Sequence, residues 1–145
     1  MRSSLILGFL FLQVFCDCSN NNDTSGAIPA SENDVDAARN FINSVLRSDF
    51  TQARTFIIND SLNNEWLYAT ERSFKEQLTP DERNGYSGAS INIHSVQQES
   101  DSVSIISYSN SFKKKAEKLK VVKTGGQWLV DLKYTFSSAA KDSIP

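Results

Sequence analysis

Along this chain the spacing of apolar residues changes once, after Gly85, from a helical period to a strand period. Ala37, Ala38, Phe41, Ile42, Val45 and Leu46 recur at helical spacing and predict an amphipathic helix ending at about Ser48. Ser31 followed by Asp34 marks its start, and Glu32, Asp34 and Asp36 suit the positive end of a helix. Ser48-Asp49 ends that helix and caps a second over 50–58, with Phe50, Ala53, Phe56 and Ile57 inward. A third helix over 62–78 turns a broad stripe of Leu62, Trp66, Leu67, Thr70, Phe74 and Leu78 inward. Thr79-Pro80-Asp81-Glu82 reads as the cap and first turn of a short fourth helix, which Gly85 stops.

Four strand candidates follow, at 90–98, 102–110, 117–124 and 127–136. The last two are joined by Gly125-Gly126, a dipeptide that accepts positive φ at both central turn positions and so predicts a two-residue hairpin. That turn fixes the register: Thr124 faces Gln127, Lys123 faces Trp128, Val121 faces Val130 and Leu119 faces Leu132. Trp128, Val130, Leu132, Tyr134 and Phe136 then share the inner face. Lys120 stands opposite Asp131 on the outer face, and Val122 opposite Leu129. Helices first and strands afterwards predict an α+β domain. Its N-terminal helices pack on one face of a curved four-stranded antiparallel sheet, which twists into a cone with an open mouth.

Composition adds bounds rather than a function. With 145 residues, 39% of them hydrophobic and 22% charged, the chain suffices for one globular domain. A net charge of −2 argues against a nucleic-acid partner, which calls for a basic excess. Both cysteines, Cys16 and Cys18, lie at the N-terminus, so the domain has no disulfide and no thiolate metal site. Ahead of them runs a short basic start and an apolar stretch over 5–15, too short at about 1.5 Å per residue to cross a hydrocarbon core of about 30 Å. A cysteine directly after such a run, followed by Ser19-Asn20-Asn21-Asn22-Asp23, resembles a bacterial lipoprotein signal, in which the cysteine becomes the acylated first residue. Cys18 is the favoured residue because the polar stretch begins at once after it, with Cys16 the alternative. The position before each, Asp17 and Phe15, departs from the small residue usual there. The chain thus divides into a lipoprotein-type signal peptide over 1–17, a flexible polar tether over 18–31, one α+β domain over 32–137 and a tail over 138–145.

Three short stretches carry a wider likeness: Ala38-x-x-Phe41-Ile42, Ser48-Asp49-Phe50-x-x-Ala53, and the block from Leu119 to Asp131 around Gly125-Gly126-x-Trp128. Together they resemble the nuclear-transport-factor-2-like (cystatin-like) superfamily, and within it envelope lipoproteins of Bacteroidota-type bacteria. The resemblance implies the cone fold and a location in the cell envelope, lipid-anchored at the outer membrane or facing the periplasm. It implies no reaction, because that scaffold hosts enzymes, ligand binders and interaction domains alike.

Candidate chemistry is sparse. His94, the single histidine, falls on the outward side of its strand beside Asn92, a solvated position rather than that of a general base. Trp66, Phe74, Tyr86, Trp128 and Tyr134 could line an aromatic pocket, although aromatics at these periods more simply make a core. Lys113, Lys114, Lys115 and Lys118 form a basic surface suited to anionic headgroups or glycans, or merely to solubilising a loop and guarding a strand edge. Val122 and Leu129 leave an apolar spot on the outer face through which a homodimer could form. No motif for a nucleotide, metal or covalent cofactor is present. The expected role is a lipid-anchored envelope domain, a non-enzymatic module that binds a small ligand or an envelope protein. The alternatives are a lyase, isomerase or hydrolase acting in the cone with an inward acid and Tyr86 or Tyr134, and an inhibitor or accessory subunit.

Overall fold

The computed structural model describes residues 30–135, so the lipidation candidates Cys16 and Cys18, the signal stretch, most of the tether, Phe136 and the tail lie outside it. Four helices precede four strands: α1 (Asp34–Leu46), α2 (Phe50–Thr55), α3 (Ser61–Glu76), α4 (Pro80–Ser87), β1 (Ile91–Ser100), β2 (Val103–Asn110), β3 (Glu117–Thr124) and β4 (Gln127–Asp131). The strands make one open antiparallel sheet in the order β1-β2-β3-β4, and the fold is α+β. Ile106, Tyr108, Leu119, Val121 and Val130 alternate onto one face of the sheet. There they bury against Ala37, Ala38, Phe41, Ile42 and Leu46 of α1, Phe50 and Ala53 of α2 and Leu67 of α3. Full burial of each large side chain is worth about 1.5–3 kcal/mol, so this one interface holds the helices to the sheet.

The β3–β4 hairpin follows from its turn. Gly125 and Gly126 take φ of 56° and 80°, the two positive values of a type I′ turn whose twist matches the flanking strands. The register is the expected one, with Thr124 opposite Gln127, Lys123 opposite Trp128, Val122 opposite Leu129, Val121 opposite Val130 and Lys120 opposite Asp131. The pairing stops there. Residues 132–135 form a helical turn instead of continuing the strand, so Leu132 and Tyr134 do not extend the β4 row. The Leu132 N–H donates to the buried Asn63 Oδ1 at 2.7 Å, and Lys133 Nζ reaches Asp60 at 2.7 Å, drawing the chain toward the start of α3. The Asp131 ion pair is with Lys133 at 3.7 Å, while the Lys120 ammonium lies over the Tyr134 ring.

Tertiary pairing also shortens α2. Phe56 and Ile57 are buried as expected, but beyond the end of the helix: Ile58 N–H donates to the Val130 carbonyl and Val130 N–H to the Phe56 carbonyl, a parallel bridge along β4. The segment covers an edge that would otherwise offer unpaired backbone groups. The cap of α1 is Asn33, whose side chain accepts from Asp36 N–H, rather than Ser31. On α3 the buried positions are Asn63 and Leu67, with Leu62 and Trp66 at 51% and 38% exposure, so the inward stripe is narrower than expected and turned toward Asn63. α4 opens on a full capping box between Thr79 and Glu82 and runs through Gly85 to its cap at Gly88. Gly85 is a contact residue, not a stop: a Cβ there would collide with the Phe112 ring.

Candidate functional site

Between α1, the ends of α3 and α4, and the β2–β3 end of the sheet lies an open cavity of about 920 Å³. Its deep wall is apolar, built from Phe41, Ile42, Val45 and Leu46 of α1 with Phe74, Leu119 and Leu132. α1 supplies four of these because its amphipathic stripe is wider than the sheet can cover, leaving Val45 half-buried at the edge.

Phe74 and Tyr86 line one side of the cavity and belong to an aromatic series crossing four elements. Phe50 meets Phe74 edge-on with centroids 5.6 Å apart, Phe74 meets Tyr86 at 5.2 Å, and Tyr86 meets Phe112 edge-on at 5.0 Å. Lys113 closes the series, its ammonium over the Phe112 and Tyr86 rings and 3.5 Å from Glu82. The loop over 111–116 that carries these residues is held at its start. Asn110 Oδ1 accepts from the N–H groups of Phe112 and Lys113, Ser111 pairs with Ser90, and Lys114 turns the chain at φ 58°.

Every charged residue among the described lining residues lies on this loop or at the start of β3: Lys113, Lys115, Glu117 and Lys118. All four are exposed whereas the apolar wall is mostly buried, so charge marks the mouth of the cavity and hydrocarbon its floor. Glu117 stands opposite Tyr108 in the sheet and accepts from its hydroxyl at 2.8 Å. Burial raises the Tyr108 phenol well above its ordinary value, and the Glu117 charge and hydrogen bond add to this, so the group is a fixed neutral donor. Burial raises Tyr86 as well, with the Lys113 charge opposing and Glu117 and Glu82 adding.

Of the aromatics the sequence singles out, Phe74 and Tyr86 line this cavity. Trp66 lies on the outer flank of α3, Trp128 beside a small cleft with Ser31, Thr55 and Phe56, and Tyr134 on the C-terminal turn. Of the four lysines, Lys113, Lys115 and Lys118 line the cavity and Lys114 does not. Sequence reasoning overlooked Tyr108, Asn110 and Glu117. The alternation that puts Ile106 inward does the same for Tyr108, but only the β2–β3 register brings Glu117 to it. His94 sits exposed at a β1 bulge, where Ile93 and Ser95 pair with consecutive residues of β2, and its Nε2 meets Ser109 Oγ at 2.9 Å. Among the described residues no three His, Cys, Asp or Glu gather as a metal site, and no helix is long and apolar enough to cross a membrane.

Compared with known proteins, the chain matches no family model, no curated protein and no solved structure, so any functional reading rests on this cavity and on the sequence itself.

Proposed function

We propose that this chain is an exported, lipid-anchored domain of the cell envelope that binds a small ligand in its cavity without transforming it. The observation that carries the reading is the cavity itself, about 920 Å³ with an apolar floor and a few polar groups at its mouth. Small-molecule sites have this size and character, roughly 300–1,000 Å³. Four helices on one face of a four-stranded antiparallel sheet support the nuclear-transport-factor-2-like cone that the sequence resembles. The stretch up to Cys18 supports acylation there. Catalysis in the cone would require a carboxylate or imidazole buried against the cavity. Glu117 is exposed and already bound to Tyr108, and His94 lies on β1 outside the lining, which favours binding over turnover.

The test is titration of the purified chain with N-phenyl-1-naphthylamine, a neutral apolar fluorophore. The expected result is saturable binding that is lost in Thr70→Phe, which fills the cavity from α3. Absent binding, or binding indifferent to Thr70→Phe, would remove the reading. Anchoring is tested separately by intact mass from the membrane fraction of the producing cell, expected to be that of 18–145 plus acyl chains. A lipid-free chain would overturn the anchor and leave the cavity untouched.

A further inference from the structure

We infer that the ligand is an amphiphilic anion, its apolar body against α1 and its acidic group held at the mouth by Lys115. The inference rests on the ligand-binding reading above and adds the ligand's chemical class. Three lysines line the mouth against one carboxylate, so the entrance is net positive although the whole chain carries −2. The three are not equivalent. Lys113 is engaged with Glu82 and with the faces of two rings, which fixes it as part of the wall and offsets its charge. Lys118 alternates with the inward Glu117 and Leu119 and so turns its side chain to the opposite face of β3. Lys115, on the loop, makes no side-chain hydrogen bond or ion pair among the described residues, leaving its ammonium group to receive an anion. The opposing carboxylate is partly committed, because Glu117 accepts from the Tyr108 hydroxyl.

The floor sets the other half of the ligand. Phe41, Ile42, Val45, Leu46 and Phe74 offer no hydrogen bond, and the Tyr108 hydroxyl is spent on Glu117. A polar body such as a sugar would lose its water there without replacement. An acyl chain or an aryl ring meets hydrocarbon on these five side chains, while its carboxylate, sulfonate or phosphate stays at the wet, basic end. A cationic amphiphile would set its head against the lysines.

Two fluorophores on one scaffold separate this inference from the reading beneath it: N-phenyl-1-naphthylamine, which is neutral, and 8-anilino-1-naphthalenesulfonate, which adds a sulfonate. At low salt the sulfonate is expected to bind about tenfold more tightly, and the preference to shrink as salt screens the exposed lysines. Lys115→Gln should abolish the preference, and Lys114→Gln, on the same loop outside the cavity, should retain it. Equal binding of the two probes would overturn the anionic class and leave the cavity standing; failure of both would overturn the binding reading itself. A preference that survives Lys115→Gln would overturn the assignment to Lys115. Competition then separates the sources. Displacement by decanoate but not decanol points to an acyl acid of membrane origin, and displacement by naphthalene-2-carboxylate alone to a soluble aryl acid. Both results support the class, and displacement by decyltrimethylammonium instead would refute it.

Discussion

Asn63 is fully buried on α3, a position where the helical pattern alone would place an aliphatic residue. Its Oδ1 accepts the Leu132 N–H and its Nδ2 donates to Asp60, so a single amide ties the start of α3 to the end of β4. Asp60 caps α3 through the Asn63 N–H and holds the Lys133 ammonium. Those hydrogen bonds, the backbone one first, lower its carboxyl from 3.8 to about 2. A carboxyl lowered in the folded state contributes stability that is complete above its unfolded value and is lost as pH falls through the folded one. Asp60→Asn keeps the cap, since Asn caps as well as Asp, and removes only the charge. Wild type should therefore unfold at a higher temperature than Asp60→Asn at neutral pH. The difference should close between pH 3.8 and about 2 in stepped thermal melts. A difference unchanged across that window would show that the Lys133 pair carries no stability. Ser104 is the opposite case: fully buried, with a hydroxyl that finds no hydrogen-bond partner. Ser104→Ala should be neutral or stabilising by up to about 1 kcal/mol in urea titration, because it removes a desolvated group and no bond.

At the scale of elements, two glycines show why a residue type alone misleads. Gly126 has open space where a Cβ would stand but takes φ 80°, so Gly126→Ala would pay through the backbone alone. The expected loss is about 1–2 kcal/mol by chemical denaturation, with the β3–β4 register unchanged. Gly85 has an ordinary helical backbone, and its lack of a side chain admits the Phe112 ring. Read along the sequence it looks like a helix stop; in the fold it lets α4 approach the loop at the cavity mouth. The α2 boundary is similarly a tertiary matter. Local pattern continues the helix through Ile58, but the Phe56 carbonyl and the Ile58 N–H are taken by Val130. Ile58→Pro removes the donor to the Val130 carbonyl and should destabilise the chain, by an amount a denaturant midpoint would register.

For the whole molecule, helices and sheet share one core among the described residues. Leu46 touches both the core and the cavity wall, and Leu46→Ala should cost about 2–5 kcal/mol. Helical circular dichroism and tryptophan fluorescence, with Trp66 on α3 and Trp128 on β4, should still fall at one midpoint. Two separate transitions would mean that the helices and the sheet are independent units. The cavity belongs to this scale too, because no single element contains it: its floor comes largely from α1, its aromatic side from α3 and α4, and its charge from the β2–β3 loop and the start of β3.

What the sequence determined by itself is what local chemistry decides. A Gly-Gly turn between alternating strands sets its own register, a Thr-Pro-x-Glu start caps its own helix, and the helical and strand periods fix element order and hence the α+β class. Phe74, Tyr86 and three of the rim lysines were also visible, as residue types without an address. What only the tertiary structure decided involves partners far apart along the chain. Asn63 takes the N–H of Leu132 and ends β4; Val130 claims Phe56 and Ile58 and ends α2; Phe112 fills the gap at Gly85; Glu117 meets Tyr108. In each case a hydrogen bond or contact between distant residues outweighed a local preference worth only tenths of a kcal/mol per residue. The cavity itself is the space those distant pairings leave open.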